Sequence, residues 1–494
     1  MGTPALSGAG RDRTSGGQPS SVGTGRTRLP RQLRGWETVS VSVGVMAPTL
    51  AMSITGGATA DLLGRAATVA FVLAAVGVAL VASGFVQLSA RYSHAGSVYA
   101  FVGRTLGPRA GFLAGWALLG TYIVFPPVSI LGVAVFGQAF LRSSGIASQA
   151  DWLPLAVAGW AVIWLLAALG IRPTTRSLLA LEGVSVLLIV VLMVVIYARL
   201  GTGNAPGGQV LTADVFRLPA GVPPTTVALA ATAGFLAFAG FESAGSLGEE
   251  SRRPTHTIPR AMVAAIGIGA VLYVACMAAQ SLGFGTDPNG VHALAGSAAP
   301  LGDLAQSYVG APLADCLNLG ALFSAIGAGL GGVTVAVRML FTFGRDGLAP
   351  RRLQDVSATT GVPRVALAVE MAACLVFLVA FRLGGATALH AFFYLATIGV
   401  LNLLVMYVLT NLGAVRQAGV TGRIGATVLP AAGVVVSGYV LYRHVWPVPD
   451  HPYQIFPYVV AGWLVAGAAL TLARPALVRR AAAGLAAEAG RAPS

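Results

Sequence analysis

The sequence has little charge for its length and contains no lysine. Charged residues make up 10% of its 494 residues and apolar residues make up 56%, whereas a soluble protein carries about 25% charged residues. So few charges cannot cover a water-soluble surface of this size, and the mean hydropathy is +0.78. Separate apolar runs of about 20 residues follow one another, each long enough to cross a bilayer as a helix. The composition therefore predicts an all-α integral membrane protein surrounded by lipid.

The sequence contains only three cysteines, and no signal peptide is recognisable in it. The three cysteines, Cys276, Cys316 and Cys374, lack the spacing of metal ligands, and an odd number cannot pair completely within one chain. We expect all three to be small core residues. The first 35 residues are rich in Gly, Ser, Pro and Arg and lack the apolar core of a signal peptide. We expect a disordered, basic cytoplasmic tail over 1–35 and a second cytoplasmic tail over 474–494.

No residue pattern indicates catalysis, and no metal or organic cofactor is predicted. The sequence lacks a catalytic triad and a metal-ligand cluster, and its glycine run from Gly327 to Val337 has no strand before it, as a phosphate-binding loop requires. Close helix packing explains such a run. The formal net charge of +14 is compatible with nucleic-acid binding, but the arginines lie between apolar segments. The sequence predicts neither an enzyme nor a nucleic-acid partner.

Twelve apolar segments are long enough to cross the membrane as helices. Because this number is even, both ends of the chain must lie on the same side. The predicted segments are 37–60, 66–89, 109–140, 152–170, 177–199, 226–249, 260–283, 314–343, 364–382, 388–412, 424–445 and 454–473.

The arginines of the connecting loops predict which side the ends occupy. With these segments, 25 of the 31 basic residues fall on the face that carries both termini. An excess of basic residues marks the cytoplasmic face, so both termini are predicted to be cytoplasmic in a multi-pass protein of the cell membrane. The alternative, that basic loops bind an anionic ligand, is not needed to explain this pattern. The arginines on the opposite face are Arg65, Arg142, Arg199, Arg217, Arg382 and Arg443.

Two segments contain residues that interrupt a helix near the middle of the membrane. Pro48 lies in the first segment, has no amide hydrogen and clashes with the carbonyl of Gly44. Gly240 lies in the middle of the sixth segment. Singly, either residue is compatible with a simple kink. In hydrocarbon, the exposed backbone groups of a true break are tolerated only where other groups satisfy them or a cavity is present.

The spacing of these two residues predicts an inverted repeat. The interrupted segments are five crossings apart, and because five is odd the second block starts on the opposite side of the membrane. The third and eighth segments, at equivalent places in the two blocks, are both unusually long. We therefore predict a five-plus-five repeat with discontinuous helices 1 and 6. Its blocks are residues 36–200 and 225–413, and residues 423–473 form two extra C-terminal helices.

A pair of broken helices offers charge complementarity to a zwitterion. The half-helix that begins at Thr49 to Ala51 is expected to present free amides to a carboxylate, and the half-helix that ends at Phe238 to Gly240 is expected to present carbonyls to an ammonium group. The predicted substrate is therefore a small molecule, with an amino acid as the first choice. The predicted binding residues are Ala47, Pro48, Thr49, Leu50, Phe238, Ala239, Gly240 and Phe241.

The segment Phe235 to Ala261, FLAFAGFESAGSLGEESRRPTHTIPRA, resembles the sixth-helix signature of permeases of the amino acid-polyamine-organocation (APC) superfamily. The stretch HAGSVYAF from His94 to Phe101 is similar to their second signature, and the resemblance covers residues 36–475. It implies alternating access and transport of amino acids or related amines, by proton symport or by exchange. The residues in register are Gly240, Phe241, Glu242, Glu249, Glu250, Pro254, Ile258, Pro259, Arg260 and Ala261.

Two places depart from the family pattern. The glycine-rich break usual in the first helix is replaced by Met46 to Thr49, which leaves the identity of the substrate open. Some sodium-independent members carry a lysine in the fifth helix at the position of a sodium ion. This chain has no lysine, and Glu182 lies near that region.

Ionisable residues inside the membrane are functional candidates because they are costly unless they pair or face water. We predict Glu242 and Glu182 as proton-coupling residues, since a buried carboxyl can load and release a proton. The alternatives are that Glu242 braces the broken helix and that Glu182 bonds two helices. A third carboxyl, Glu370, is expected to be structural.

Gating is predicted from charges and aromatic rings beside the second break. Phe241, Glu249, Glu250 and Arg260 are the predicted gating residues, and a solvated charge cluster is the alternative for the two glutamates and the arginine. Other aromatic residues near the breaks are compatible either with the site or with ordinary packing. These are Phe235, Phe238, Tyr122 and Tyr394.

Together these observations predict a secondary active amino-acid or amine permease. Proton symport is the first choice and exchange is the second, with sodium coupling not excluded by the sequence. A non-transporting receptor of the same fold is a further alternative, although no signalling domain is recognisable. The lipid bilayer is an expected partner, and the sequence does not indicate the oligomeric state.

Overall fold

The computed structural model describes residues 35–92, 97–147, 149–170, 172–247, 251, 253–345, 347–357, 359–476 and 478–479. Within these ranges the elements of regular secondary structure are helices, and an isolated β-bridge joins Val356 and Pro363. The predicted all-α class is confirmed. The helices are α1 (Gly35–Met46), α2 (Pro48–Leu63), α3 (Ala67–Ser89), α4 (Ser97–Thr105), α5 (Pro108–Ser143), α6 (Trp152–Leu169), α7 (Arg172–Gly201), α8 (Pro224–Phe238), α9 (Pro254–Phe284), α10 (Pro288–Gly296), α11 (Pro300–Tyr308), α12 (Ala311–Arg345), α13 (Arg364–Leu383), α14 (Ala388–Val420), α15 (Val428–Arg443) and α16 (Phe456–Ala473).

Eleven stretches of the described chain are long and apolar enough to cross a membrane. The first of them, Thr38–Ser89, has 52 residues, and at about 1.5 Å per residue it would be more than twice as long as the hydrocarbon core is thick. The backbone turns within it at Gly64, which has a φ of 58°. This stretch therefore contains two crossings, and the predicted number of twelve is confirmed.

Both predicted helix interruptions are present. Ala47 separates α1 from α2 in a left-handed conformation with a φ of 46°, and Pro48 starts α2. The proline favours this position because the first turn of a helix does not need its amide. The helix α8 ends at Phe238, Gly240 has a φ of 112°, and a short 3-10 helix follows over Phe241–Leu247. The sixth predicted segment is thus two pieces separated by a break.

The two longest helices, α5 and α12, form the centre of the bundle. They have 36 and 35 residues and pack along each other, and α14 also packs against α5. Their length agrees with the long third and eighth segments, which the inverted repeat places at equivalent positions. The boundaries of the two repeat blocks stay a prediction.

The expectation that all three cysteines are core residues was wrong for one of them. Cys276 and Cys374 are buried, but Cys316 is exposed. The buried stripe of α12 runs through Ala314, Leu317 and Asn318, and Cys316 points away from it. Three short helices, α4, α10 and α11, were not predicted because they are too short to give a membrane-spanning signal.

Candidate functional site

The two helix breaks are in direct contact. A Cβ atom added to Gly240 would lie 2.9 Å from Cγ1 of Val45 and 3.0 Å from the backbone nitrogen of Met46. Side chains do not fit at such distances, so glycine allows the second break to touch the end of α1. The positive φ of Gly240 also favours glycine.

A cavity of about 70 Å³ lies where the breaks meet. Four of the eight predicted binding residues line it, namely Ala47, Leu50, Ala239 and Gly240. The helices α5, α12 and α14 complete its wall, and most of the lining is apolar. The remaining lining residues are Val45, Met46, Ala51, Ile54, Thr55, Tyr122, Phe125, Val128, Ser129, Leu236, Ala328, Gly332 and Phe392.

The other four predicted binding residues, Pro48, Thr49, Phe238 and Phe241, are buried beside the cavity and are not part of its lining. Phe238 packs edge-on against Tyr273 of α9, with 4.9 Å between ring centroids.

Phe241 is fully buried between Phe85 of α3 and Tyr407 of α14, at 5.5 Å and 5.6 Å between ring centroids. This aromatic cluster holds the 3-10 segment against two helices.

At the first break, side chains from two other helices bind the backbone of α2. The Thr49 amide donates a hydrogen bond of 2.9 Å to Oε1 of Glu182, on α7. The Leu50 amide donates one of 3.1 Å to the hydroxyl oxygen of Ser324, on α12. These amides were expected to be free for a substrate carboxylate. A buried side-chain carboxylate, 8% exposed, occupies one of them instead.

At the second break, Glu242 joins three structural elements. Its Oε2 accepts hydrogen bonds from the Gly240 amide at 3.0 Å and from the Tyr407 hydroxyl at 3.3 Å. Its Oε1 accepts one from the Tyr122 hydroxyl at 3.0 Å. Because Tyr122 lines the cavity, the buried carboxyl is linked to it through one side chain. No local sequence signal indicates Tyr407, because it lies in an apolar run of α14.

The remaining sequence candidates lie elsewhere. Glu370 is buried in α13, where Sγ of Cys374 donates to its Oε1 at 3.7 Å. Tyr394 packs against Tyr453 and Phe456 near α16. Arg260 is an exposed residue near the start of α9.

Glu249 and Glu250 lie outside the described residues, as do 93–96, which include His94 of the second signature. The charged part of the predicted gate is therefore untested. Among the residues that are described, no group of three His, Cys, Asp or Glu side chains could hold a metal ion.

A second, larger cavity of about 580 Å³ lies further along α5, α12 and α14. Arg142, Asp303 and Asn318 give it a more polar lining. A Cβ added to Gly132 of α5 would lie 2.9 Å from Leu50 and 3.7 Å from Phe392, so both of these lining side chains lie close to this glycine. The sequence analysis did not identify Phe392, because no local signal separates it from packing residues.

Comparison with known proteins agrees with this geometry. The family model described as amino acid permease matches residues 38–440. The chain belongs to the amino acid permease family. The predicted superfamily is confirmed, and the permease is a multi-pass membrane transporter.

Several characterised relatives are similar to the permease over most of their length. The branched-chain amino acid permease BcaP of Bacillus subtilis (strain 168) is 25% identical over 362 residues, which are 69% of this chain and 73% of that protein. The low-affinity putrescine importer PlaP of Escherichia coli (strain K12) is 23% identical over 345 residues, 66% of this chain and 70% of that protein. A methylthioribose transporter of Bacillus subtilis (strain 168) is 25% identical over 354 residues, 68% of this chain and 72% of that protein.

A solved structure supports the fold. The crystal structure of a mutant manganese transporter of Eremococcus coleocola superposes with a TM-score of 0.51 and 12% sequence identity, covering 92% of the permease and 98% of that chain. At this identity the likeness shows the fold alone.

Proposed function

We propose that the permease is a secondary active transporter that moves a small ammonium-bearing solute, an amino acid or a related amine, into the cell together with protons. The observation that carries this proposal is the cavity between the two helix breaks. A buried carboxyl is hydrogen-bonded at each break, Glu182 to the Thr49 amide and Glu242 to the Tyr122 hydroxyl. Substrate, coupling group and mobile backbone would then act at one place.

The breaks supply the mobility that alternating access needs. In a continuous helix the Thr49 and Leu50 amides would bond to the carbonyls of Val45 and Met46, whereas here they donate to side chains of α7 and α12. The carbonyls of Val45 and Met46 in α1 are therefore not hydrogen-bonded to the Thr49 and Leu50 amides of α2. This allows α1 and α2 to reorient relative to each other about Ala47. Leu50 and Phe392 both line the cavity and lie close to Gly132, and they would form a gate on the side of the larger, polar cavity.

Glu242 is the proposed proton site. An ionised carboxyl only accepts hydrogen bonds, and three donors meet at Glu242. A bound proton removes the charge and makes one carboxyl oxygen a donor, which weakens the hydrogen bonds that these three groups donate. Loading a proton would thereby change the contacts that hold the second break to α5 and α14.

The orientation follows from the arginine distribution, with both termini in the cytoplasm. The expected net movement is inward, driven by an inward proton gradient. Neither a metal nor an organic cofactor takes part in this proposal.

Uptake into proteoliposomes tests it. Purified permease is reconstituted, and uptake of labelled amino acids and amines is measured with and without an acidic outside medium. Accumulation that requires the gradient supports symport. Counterflow exchange that is insensitive to the gradient would replace symport by exchange, and binding without any flux would indicate a receptor.

A further inference from the structure

The first turn of α2 has no backbone donor left for a substrate. Pro48 has no amide hydrogen, the Thr49 amide binds Glu182, and the Leu50 amide binds Ser324. The Ala51 amide closes the first helical turn onto the Ala47 carbonyl at 2.9 Å. Every amide at this end of the helix is therefore satisfied within the protein.

The carboxyl of Glu182 also changes the electrostatics at the start of α2. A helix N-terminus carries a partial positive charge of about half an elementary charge, and Glu182 more than balances it when the carboxyl is ionised. At the second break, the Gly240 amide is likewise bound by Glu242. Both places where the broken backbone presents N–H groups thus already hold an internal carboxyl.

The groups that remain for a ligand are carbonyl oxygens. Two helices, α1 and α8, end at the cavity with their C-termini, at Met46 and Phe238, and C-termini carry partial negative charge. The carbonyls of Val45 and Met46 have lost their usual helical donors to the contacts with Glu182 and Ser324. Three N–H groups of a primary ammonium match such oxygens.

The cavity lining offers no counter-charge for an anion. Arginine is the only strongly basic residue type in the chain, and none of the described residues that line the cavity is an arginine. Its two small hydroxyls are engaged locally, since Thr55 donates to the Ala51 carbonyl and Ser129 donates to the Phe125 carbonyl. The rest of the wall is apolar and suits a short hydrocarbon chain.

We propose that Glu182 is a built-in occupant of the carboxylate subsite, so that the permease selects organic ammonium cations without a carboxylate over the corresponding α-amino acids. This inference rests on the proposed function, because it takes the cavity at the breaks to be the substrate site. Glu182 is a specificity-determining residue in this account.

An α-amino acid has to overcome this arrangement. Its carboxylate reaches the Thr49 amide only if Glu182 leaves that amide. Two carboxylates that share one buried site repel each other, and one of them would need a proton. An amine that lacks the carboxylate binds the carbonyls without this rearrangement.

The test compares each amino acid with its own decarboxylation product. Leucine is paired with 3-methylbutylamine, valine with 2-methylpropylamine, and ornithine with putrescine, and affinities are measured by calorimetry on the full-length permease in detergent at constant pH. The wild-type protein is expected to bind the amine of at least one pair more tightly than its amino acid by about tenfold or more, which corresponds to about 1.4 kcal/mol.

Two substitutions at one residue connect this preference to Glu182. Glu182→Ala vacates the Thr49 amide, so the preference for the amine is expected to fall at least about tenfold, through tighter amino-acid binding and weaker amine binding. Glu182→Gln keeps an acceptor for Thr49 but removes the charge, and it is expected to weaken amine binding alone. The matched controls are Glu370→Ala and Glu370→Gln, which remove a buried carboxyl of α13 and are expected to keep the wild-type preference.

The inference is overturned if the wild-type permease binds the amino acid as tightly as the amine in every pair, or binds no amine at all. It is also overturned if either folded Glu182 variant keeps the wild-type preference. These binding measurements need no proton gradient, so their outcome does not depend on whether the permease transports its ligand. An amine preference without proton-driven flux would refute the proposed function alone, whereas proton-driven uptake that favours amino acids would refute the inference alone.

Discussion

Replacing Glu242 by glutamine separates coupling from structural support. The carboxyl accepts three hydrogen bonds, of 3.0, 3.0 and 3.3 Å, from Tyr122, Gly240 and Tyr407. Glutamine has nearly the same shape, but it has one acceptor oxygen and cannot exchange a proton. With its oxygen toward Gly240 and Tyr407, its NH₂ group faces the hydroxyl of Tyr122, which can rotate to accept.

The magnitude follows from these three bonds. Hydrogen bonds to a charged group contribute about 1.5–3 kcal/mol and neutral ones about 0.5–1.5 kcal/mol. Loss of charge assistance at three donors therefore lowers the free energy of unfolding by roughly 3 kcal/mol if the carboxyl is ionised, and by less if it carries a proton. We expect Glu242→Gln to fold, with a lower melting temperature.

Transport by this variant is the decisive readout. In proteoliposomes, an inward acid gradient is expected to stimulate uptake by the wild-type permease and by the control Glu370→Gln, but not by Glu242→Gln. Counterflow exchange without a gradient is expected to persist in all three proteins. Acid-driven accumulation by Glu242→Gln at the wild-type level would refute the coupling role. Loss of folding in this variant alone would show that Glu242 braces the break.

Two further substitutions test the break and a helix cap. Gly240→Ala forces a Cβ into contact with α1 at a φ of 112°, so it should destabilise the protein by at least about 1–3 kcal/mol. The control Gly438→Ala places a Cβ in open space on α15 and should not destabilise the protein. Thermal unfolding in detergent measures both effects. Asp151 caps α6, and its pKa is lowered mainly by the Leu153 amide and also by Arg382. A lowered pKa means that the ionised form stabilises the fold, so Asp151→Asn should lower the melting temperature slightly at pH 7. This difference should disappear as the pH falls below the ordinary value of 3.8.

The sequence was sufficient for the membrane-spanning helices and their interruptions. Apolar runs of membrane length locate the crossings, and Pro48 and Gly240 disturb the backbone through their own covalent structure. Both signals are local. The contact between the two breaks also follows, because an inverted repeat places its equivalent helices together at the centre.

Local sequence signals do not identify the side chains that bind the backbone groups at the two breaks. Glu182 is 133 residues from Thr49, and Tyr407 is 165 residues from Glu242. Which of many polar side chains reaches a given amide depends on the packing of distant helices. The sequence analysis therefore placed a substrate carboxylate where the fold places Glu182.

The account depends on a substrate bound between the two breaks. Ala239→Cys, in a Cys316→Ser background that removes the exposed native thiol, places a reactive group in the cavity wall. Its alkylation rate by a small methanethiosulfonate is measured with and without saturating 3-methylbutylamine or leucine, and Ser144→Cys in an exposed turn is the control. We predict that at least one of these ligands slows alkylation at position 239 and leaves position 144 unaffected. Equal rates at position 239 with and without a ligand that the permease binds would contradict a substrate site at the breaks.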